Sequence, residues 1–220
     1  MGCPIFKSQY SSNMAPTDPL KKKVVVVGLE SSGKSTILNY FKFNQFIPEV
    51  TPTLGVSIET LLSENLELLV FDISGKVRSL WSHYYENLDA LIMVVDITDR
   101  EKMAEVKDEI IKMNEDLIKL KNYKGFIMIL FNKTDLLEKN SLETSFSSFV
   151  DECGVNEVTD LDVIVLKCST KSGDGLTEAY RKLLDFLKVT DKINQMGGMA
   201  FAANEKSLNV SDMSLINTHK

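Results

Sequence analysis

Directly after the β-branched run KVVVV (23–27) the chain reads GLESSGKST (28–36), and apolar residues then recur at helical spacing at Ile37, Leu38 and Phe41. This order, strand then glycine-rich turn then helix, constrains the fold more than any other feature. Gly28, Gly33, Lys34 and Ser35 match the spacing G-x-x-x-x-G-K-[ST]. Glycines at those places let the backbone N–H groups of Leu29, Glu30, Ser31, Ser32 and the helix start at Thr36 curl around a phosphate. The helix N-terminus adds the positive end of its dipole. Lys34 is placed to reach the β- and γ-phosphates as a compact cation, and the Ser35 hydroxyl to hold Mg²⁺.

The rest of the chain fits a parallel sheet around that turn. GVSIETLL (55–62) and LELLVFD (66–72) flank a Ser-Glu-Asn turn and predict a hairpin. ALIMVVD (90–96), FIMILF (126–131) and LDVIVLKC (161–168) are apolar throughout, as strands covered on both faces are. Helices are expected over roughly 99–121, 143–152 and 175–187. Alternation of strand and helix predicts an α/β fold: a mostly parallel six-stranded sheet with one antiparallel edge strand and helices on both faces.

Two further motifs choose the nucleotide. NKTD (132–135) follows a buried strand at its carboxyl end, where open α/β sheets bind ligands. The Asp135 carboxylate can accept from both N1–H and the exocyclic amine of guanine. Adenine lacks that donor pair and would leave the carboxylate unmatched. Lys133 is expected to lay its aliphatic stem along the base and Asn132 to tie loops together. CSTK (168–171) brings backbone N–H groups near Ser169, Thr170 and Lys171 toward the guanine oxygen. Asp72 begins D-x-x-G: the acid is expected to hold Mg²⁺ through water, and the Gly75 amide to donate to a γ-phosphate. Thr53, in TPTLG, is placed to give the metal a second hydroxyl.

GLESSGKST, TPTLG, DISG, LWSHYY, NKTD and SGDGL together resemble the Arf family of small GTPases over roughly 22–188. GVSIE, FDISG and LWSHYY are most similar to its ciliary, Bardet–Biedl-linked Arf-like branch. The resemblance implies a P-loop NTPase of the Ras-like type and a monomeric GDP/GTP switch with Mg²⁺. It also implies exchange factors, activating proteins, effectors, and reversible attachment to intracellular membranes of Golgi or ciliary type. The hairpin 55–72 is expected to slide along the sheet when the nucleotide changes.

Three departures from the family pattern stand out. Lys76 occupies the place of the glutamine that steers the attacking water. The segment between Gly75 and Trp81 is about two residues short. Val56 stands where many Arf proteins have a phenylalanine. Phe71, Trp81 and Tyr84 remain candidates both for effector contact and for core packing. A protonated lysine offers donors only, so it cannot accept a proton from water as glutamine's carbonyl can. Lys76 and Gly75 are therefore the residues on which catalysis is expected to turn. Hydrolysis is expected to be slow unaided, with a GTP-loaded binding module that never turns over as the alternative. A P-loop kinase or ATPase would leave NKTD unexplained.

Composition bounds the rest. A net charge of −6 with no dense basic stripe argues against nucleic acid as a partner. Three cysteines, Cys3, Cys153 and Cys168, suggest no disulfide framework and a reducing compartment. No apolar run is long enough to span a bilayer. Residues 1–21 read as a flexible arm in which Gly2 and Cys3 are candidates for myristoylation and palmitoylation. Phe6 at the sixth position and Pro4 and Pro16 run against that pattern and against an amphipathic helix. Lys21–Lys23 offer a weak attraction to anionic lipid. Residues 189–220, rich in Asn, Ser and Gly, read as a mobile tail.

Overall fold

The computed structural model describes residues 18–48, 50–63, 65–120, 123, 126–158 and 161–196. Its first half comprises β1 (Leu20–Val27), α1 (Lys34–Phe43), β2 (Val56–Ser63), β3 (Leu66–Ile73) and β4 (Ala90–Asp96). Its second half comprises α2 (Met103–Ile118), β5 (Phe126–Asn132), α3 (Lys139–Glu152), β6 (Asp162–Lys167) and α4 (Leu176–Met196). The six strands form one sheet in the order β2-β3-β1-β4-β5-β6, and only the β2–β3 pair is antiparallel. This is the expected fold, with β2 as the antiparallel edge.

Period-2 alternation in the strands divides the core between two faces. Val25, Val27, Leu91, Met93, Ile127, Ile129 and Phe131 pack with Val106, Ile110, Met113 and Leu117 of α2 and with Phe149 and Val150 of α3. Val24, Val26, Ile92, Val94, Met128 and Leu130 pack on the other side, with Ile37, Leu38 and Phe41 of α1 and Leu176, Tyr180, Leu183 and Leu187 of α4. Each fully buried aliphatic side chain contributes about 1.5–3 kcal/mol, so the two layers clamp the central strands from both sides. The strand ends, where the polar loops begin, are thereby held in fixed positions.

Several boundaries differ from the sequence expectation. β1 starts at Leu20, three residues before the apolar run, and the three lysines lie within the strand. Lys22 pairs with Asp89 at 3.1 Å, and Lys23 Nζ donates to the Glu86 carbonyl at 2.7 Å. Lys21 alone of the three is largely exposed, in a loose pair with Glu67 at 3.9 Å. A 3-10 turn, Arg100–Lys102, precedes α2 and delays its start. α3 begins earlier, at Lys139, where polar residues hide the helical period. α4 runs on to Met196, through residues read from composition as tail. Val189, Ile193 and Met196 keep the i, i+4, i+7 spacing there, a signal that the neighbouring Asn, Lys and Thr obscure. No helix among the described residues is long and apolar enough to cross a membrane.

Candidate functional site

The carboxyl ends of β1, β3 and β5 open on one cavity of about 430 Å³, the size of an ordinary small-molecule site. Glu30, Lys34 and Ser35 line it from the first turn, Thr53 and Lys76 from the two loops flanking the hairpin, and Asp135 and Lys171 from the far end. These residues lie far apart in sequence, and the parallel sheet brings them together.

The first turn forms a cradle. Gly33 takes φ +96°, and a side chain there would strike the Asn132 amide. Lys34 Nζ, itself buried, donates to the carbonyls of Gly28 and Leu29, each at 2.9 Å. Burial pushes its ammonium below the ordinary lysine value, against the pull of the Asp72 and Glu30 carboxylates. A cation held so has an incentive to meet an anion. The Leu29 side chain turns into the core, so only its backbone belongs to the cradle. Ser32 contributes its carbonyl to Asn132, while its buried hydroxyl has no partner. Gly75 rests on the same turn: a side chain at 75 would collide with the Glu30 amide, the Leu29 carbon and the Gly28 carbonyl.

Beside the cradle three oxygen donors converge. Ser35 Oγ and Thr53 Oγ1 stand 2.9 Å apart, and both donate to Asp72 Oδ2, Thr53 at 3.0 Å. The other carboxylate oxygen, Asp72 Oδ1, is buried without a partner. Two hydroxyls and an under-satisfied carboxylate, all hard oxygen donors, fit Mg²⁺, which takes one or two carboxylates together with water and substrate phosphates. No group of three His, Cys, Asp or Glu side chains that could hold a metal occurs among the described residues.

At the opposite end Asn132 is a fully buried hub. Its Nδ2 donates to the Ser32 carbonyl at 2.9 Å and its Oδ1 accepts from the Thr170 amide at 3.2 Å. One side chain thus ties the cradle, the end of β5 and the loop after β6. The Asp135 carboxylate accepts from Ser169 Oγ at 2.6 Å, which fixes its orientation while one oxygen is left for a ligand. Lys133 sits in the left-handed region at φ +69°, and its Nζ reaches Asp96 Oδ2 at 2.5 Å. Asp96 is held in turn by the Thr98 amide at 3.0 Å and hydroxyl at 2.7 Å. Burial alone would raise the Asp96 carboxyl, but the hydrogen bonds from Lys133 and Thr98 outweigh it and keep it below the ordinary carboxylate value. Asp96 is absent from the sequence reading. Its position as the last residue of a buried parallel strand, the place Asn132 occupies in β5 and one residue beyond that of Asp72 in β3, was the available signal.

Lys76 is at the cavity mouth, paired with Glu30 at 3.1 Å. Two residues on, Arg78 pairs with Glu105 and Glu109 of α2 at 2.5 and 3.2 Å. Trp81 is 2% exposed and its indole N–H donates to the Ser74 carbonyl at 3.3 Å, so it anchors this segment in the core and is not a surface contact. Phe71 and Tyr84, half-buried neighbours with ring centroids 5.7 Å apart, keep both roles open. Val56 packs against the core at the start of β2. Gly2 and Cys3 lie outside the described residues.

The strand order and the cradle between β1 and α1 define a P-loop NTPase of the Ras-like type. The chain belongs to the ADP-ribosylation factor family, whose model matches residues 10–187. It is 37% identical over 161 residues to ADP-ribosylation factor K of Dictyostelium discoideum, covering 72% of this chain and 81% of that protein. It is 33% identical over 171 residues to human ADP-ribosylation factor-like protein 5A, covering 76% and 90%. Among solved structures, the Arl6 BBS3 small GTPase from Trypanosoma brucei with bound nucleotide analogue GppNp superposes with a TM-score of 0.64 at 28% identity, covering 76% of this chain and 98% of that one. The chain is an Arf-like small GTPase, a nucleotide-binding switch from a family of GTP hydrolases.

Proposed function

We propose that this chain binds GDP and GTP with Mg²⁺ in the cavity described, recruits effectors to intracellular membranes in its GTP form, and hydrolyses GTP only weakly without help. One observation carries the nucleotide reading: a single cavity has a buried cation and a cradle of amides at one end and an oriented carboxylate, Asp135, at the other. Lys34 and the amides of residues 29–36 would meet the phosphates. Ser35, Thr53 and Asp72 would hold Mg²⁺, which neutralises charge on the β- and γ-oxygens when bound. Asp135 reads the guanine edge, Lys133 lies along its face, and Ser169, Thr170 and Lys171 close the far wall. The GppNp held by the trypanosomal relative supports the same class of ligand here.

Slow turnover follows from Lys76. An attacking water needs an acceptor aimed in line with the γ-phosphorus, and loss of such positioning costs on the order of a hundredfold. The Lys76 ammonium is engaged by Glu30, which favours the second reading, a GTP-loaded binding module with no meaningful turnover. Calorimetry of GDP, GTP and ATP with magnesium tests the binding claim: heat for the guanine nucleotides and none for ATP is expected. Single-turnover cleavage by the purified protein beside Lys76→Gln tests the second claim, with faster cleavage expected from the variant and equal rates removing Lys76 from the account. Membrane attachment through Gly2 and Cys3, a Golgi or ciliary site of action and a monomeric state complete the proposal. Mass spectrometry of the native protein, finding acyl groups or a bare N-terminus, decides the first of these.

A further inference from the structure

Glu30 and Lys76 face each other across the mouth of the cavity and both line it. Each side chain is 57% exposed, so the pair adds little to stability. Its place matters more. Glu30 belongs to the cradle, Lys76 to the segment after Asp72, and their backbones touch because Gly75 rests on the Glu30 amide. The Glu30 carboxylate lies within the field of the cradle's own cation, since it is one of the two acids that offset the burial of Lys34. A negative charge there repels any further phosphate added at this end of the cavity. An ammonium beside it cancels that repulsion.

We propose that the Lys76–Glu30 pair sets this chain's preference between nucleoside triphosphate and diphosphate: Lys76 masks an acid that the cradle itself carries, and so admits the third phosphate. The inference rests on the guanine-nucleotide reading above. It gives the two residues opposite signs. Lys76→Gln uncovers Glu30, and GTP affinity falls relative to GDP. Glu30→Gln frees Lys76 to meet the added phosphate, and GTP affinity rises relative to GDP. The double change returns close to the wild-type ratio. A purely structural pair would weaken both nucleotides alike and give both variants the same sign.

The test is displacement of a fluorescent GDP by GDP and by a non-hydrolysable GTP analogue, with magnesium, at low and moderate salt. The expected change in the affinity ratio is roughly fivefold in opposite directions for the single variants, the worth of one unit charge a few ångströms away in a largely aqueous setting. It should shrink as salt rises. Because both side chains are exposed, the thermal melts of all variants should match. GDP binding retained with an unchanged ratio, or with ratios that move the same way, overturns the role of the pair alone. Absence of guanine-nucleotide binding by the wild-type protein overturns the underlying reading as well.

Discussion

The two ends of the cavity are held by different means. The base end is fastened from inside: Asn132 has no exposed surface and joins the cradle to the loop after β6, and Asp135 and Lys133 are each oriented by a partner. The phosphate-sensing end is fastened from outside. Its segment 74–85 is anchored at its far end by two buried rings, Trp81 and Tyr85, but nearer the cavity Lys76 and Arg78 are held by ion pairs that water can reach. Hydrogen bonds among buried groups are costly to break, while exposed ion pairs are worth at most about 1 kcal/mol. Under the proposed function, one end would recognise the same base in every state. The other can be rearranged by a ligand charge of ordinary size, as a switch requires.

The contrast breaks most severely at Asn132. Asn132→Ala leaves the Ser32 carbonyl and Thr170 amide without their partner, which costs about 1–3 kcal/mol of stability. It should also weaken GDP by on the order of a hundredfold, since both walls of the site lose their tie. Thermal melts and GDP titration measure the two effects, and an unchanged melt would show that the hub is dispensable.

Asp96→Asn should have a smaller effect, roughly a tenfold loss of GDP affinity, because Asn can still accept from Thr98 but no longer holds Lys133 by charge. The same pair has a definite pH signature. Asp96 titrates below its ordinary value, so its contribution is complete at and above that value and is lost only as pH falls through the lowered one. GDP affinity referable to this pair should thus be flat from pH 5 to 8, and a titration within that window would contradict the assignment. The smallest effects belong to the exposed pair, Lys76 and Glu30, where the direction of the ratio is the signal and its size is modest.

Much of the fold was legible because it rests on patterns that need no partner to be read. Strands apolar on both faces and a glycine-rich turn opening α1 are such patterns. The site's donors at strand ends, Asp72 and Asn132, were legible for the same reason. What stayed hidden depends on contacts across the sequence. The anchoring of Lys133 by Asp96 spans 37 positions, and the burial of Trp81 depends on a carbonyl seven residues away and on α2 packing over it. The length of α4 was missed because polar neighbours mask the spacing of Val189, Ile193 and Met196. Pairing of Lys76 with Glu30 could not be read from either motif, since each belongs to a different loop.

The most direct test of the whole account is competition of GDP and ADP for the wild-type site and for Asp135→Ala, with magnesium present. A carboxylate that matches two guanine donors should give the wild type a preference for GDP on the order of 10⁴-fold, and the variant should lose most of it while still folding, its melt lowered only by the loss of the Ser169 hydrogen bond. Equal displacement by ADP in the wild type, or a preference that survives the loss of Asp135, would contradict the account.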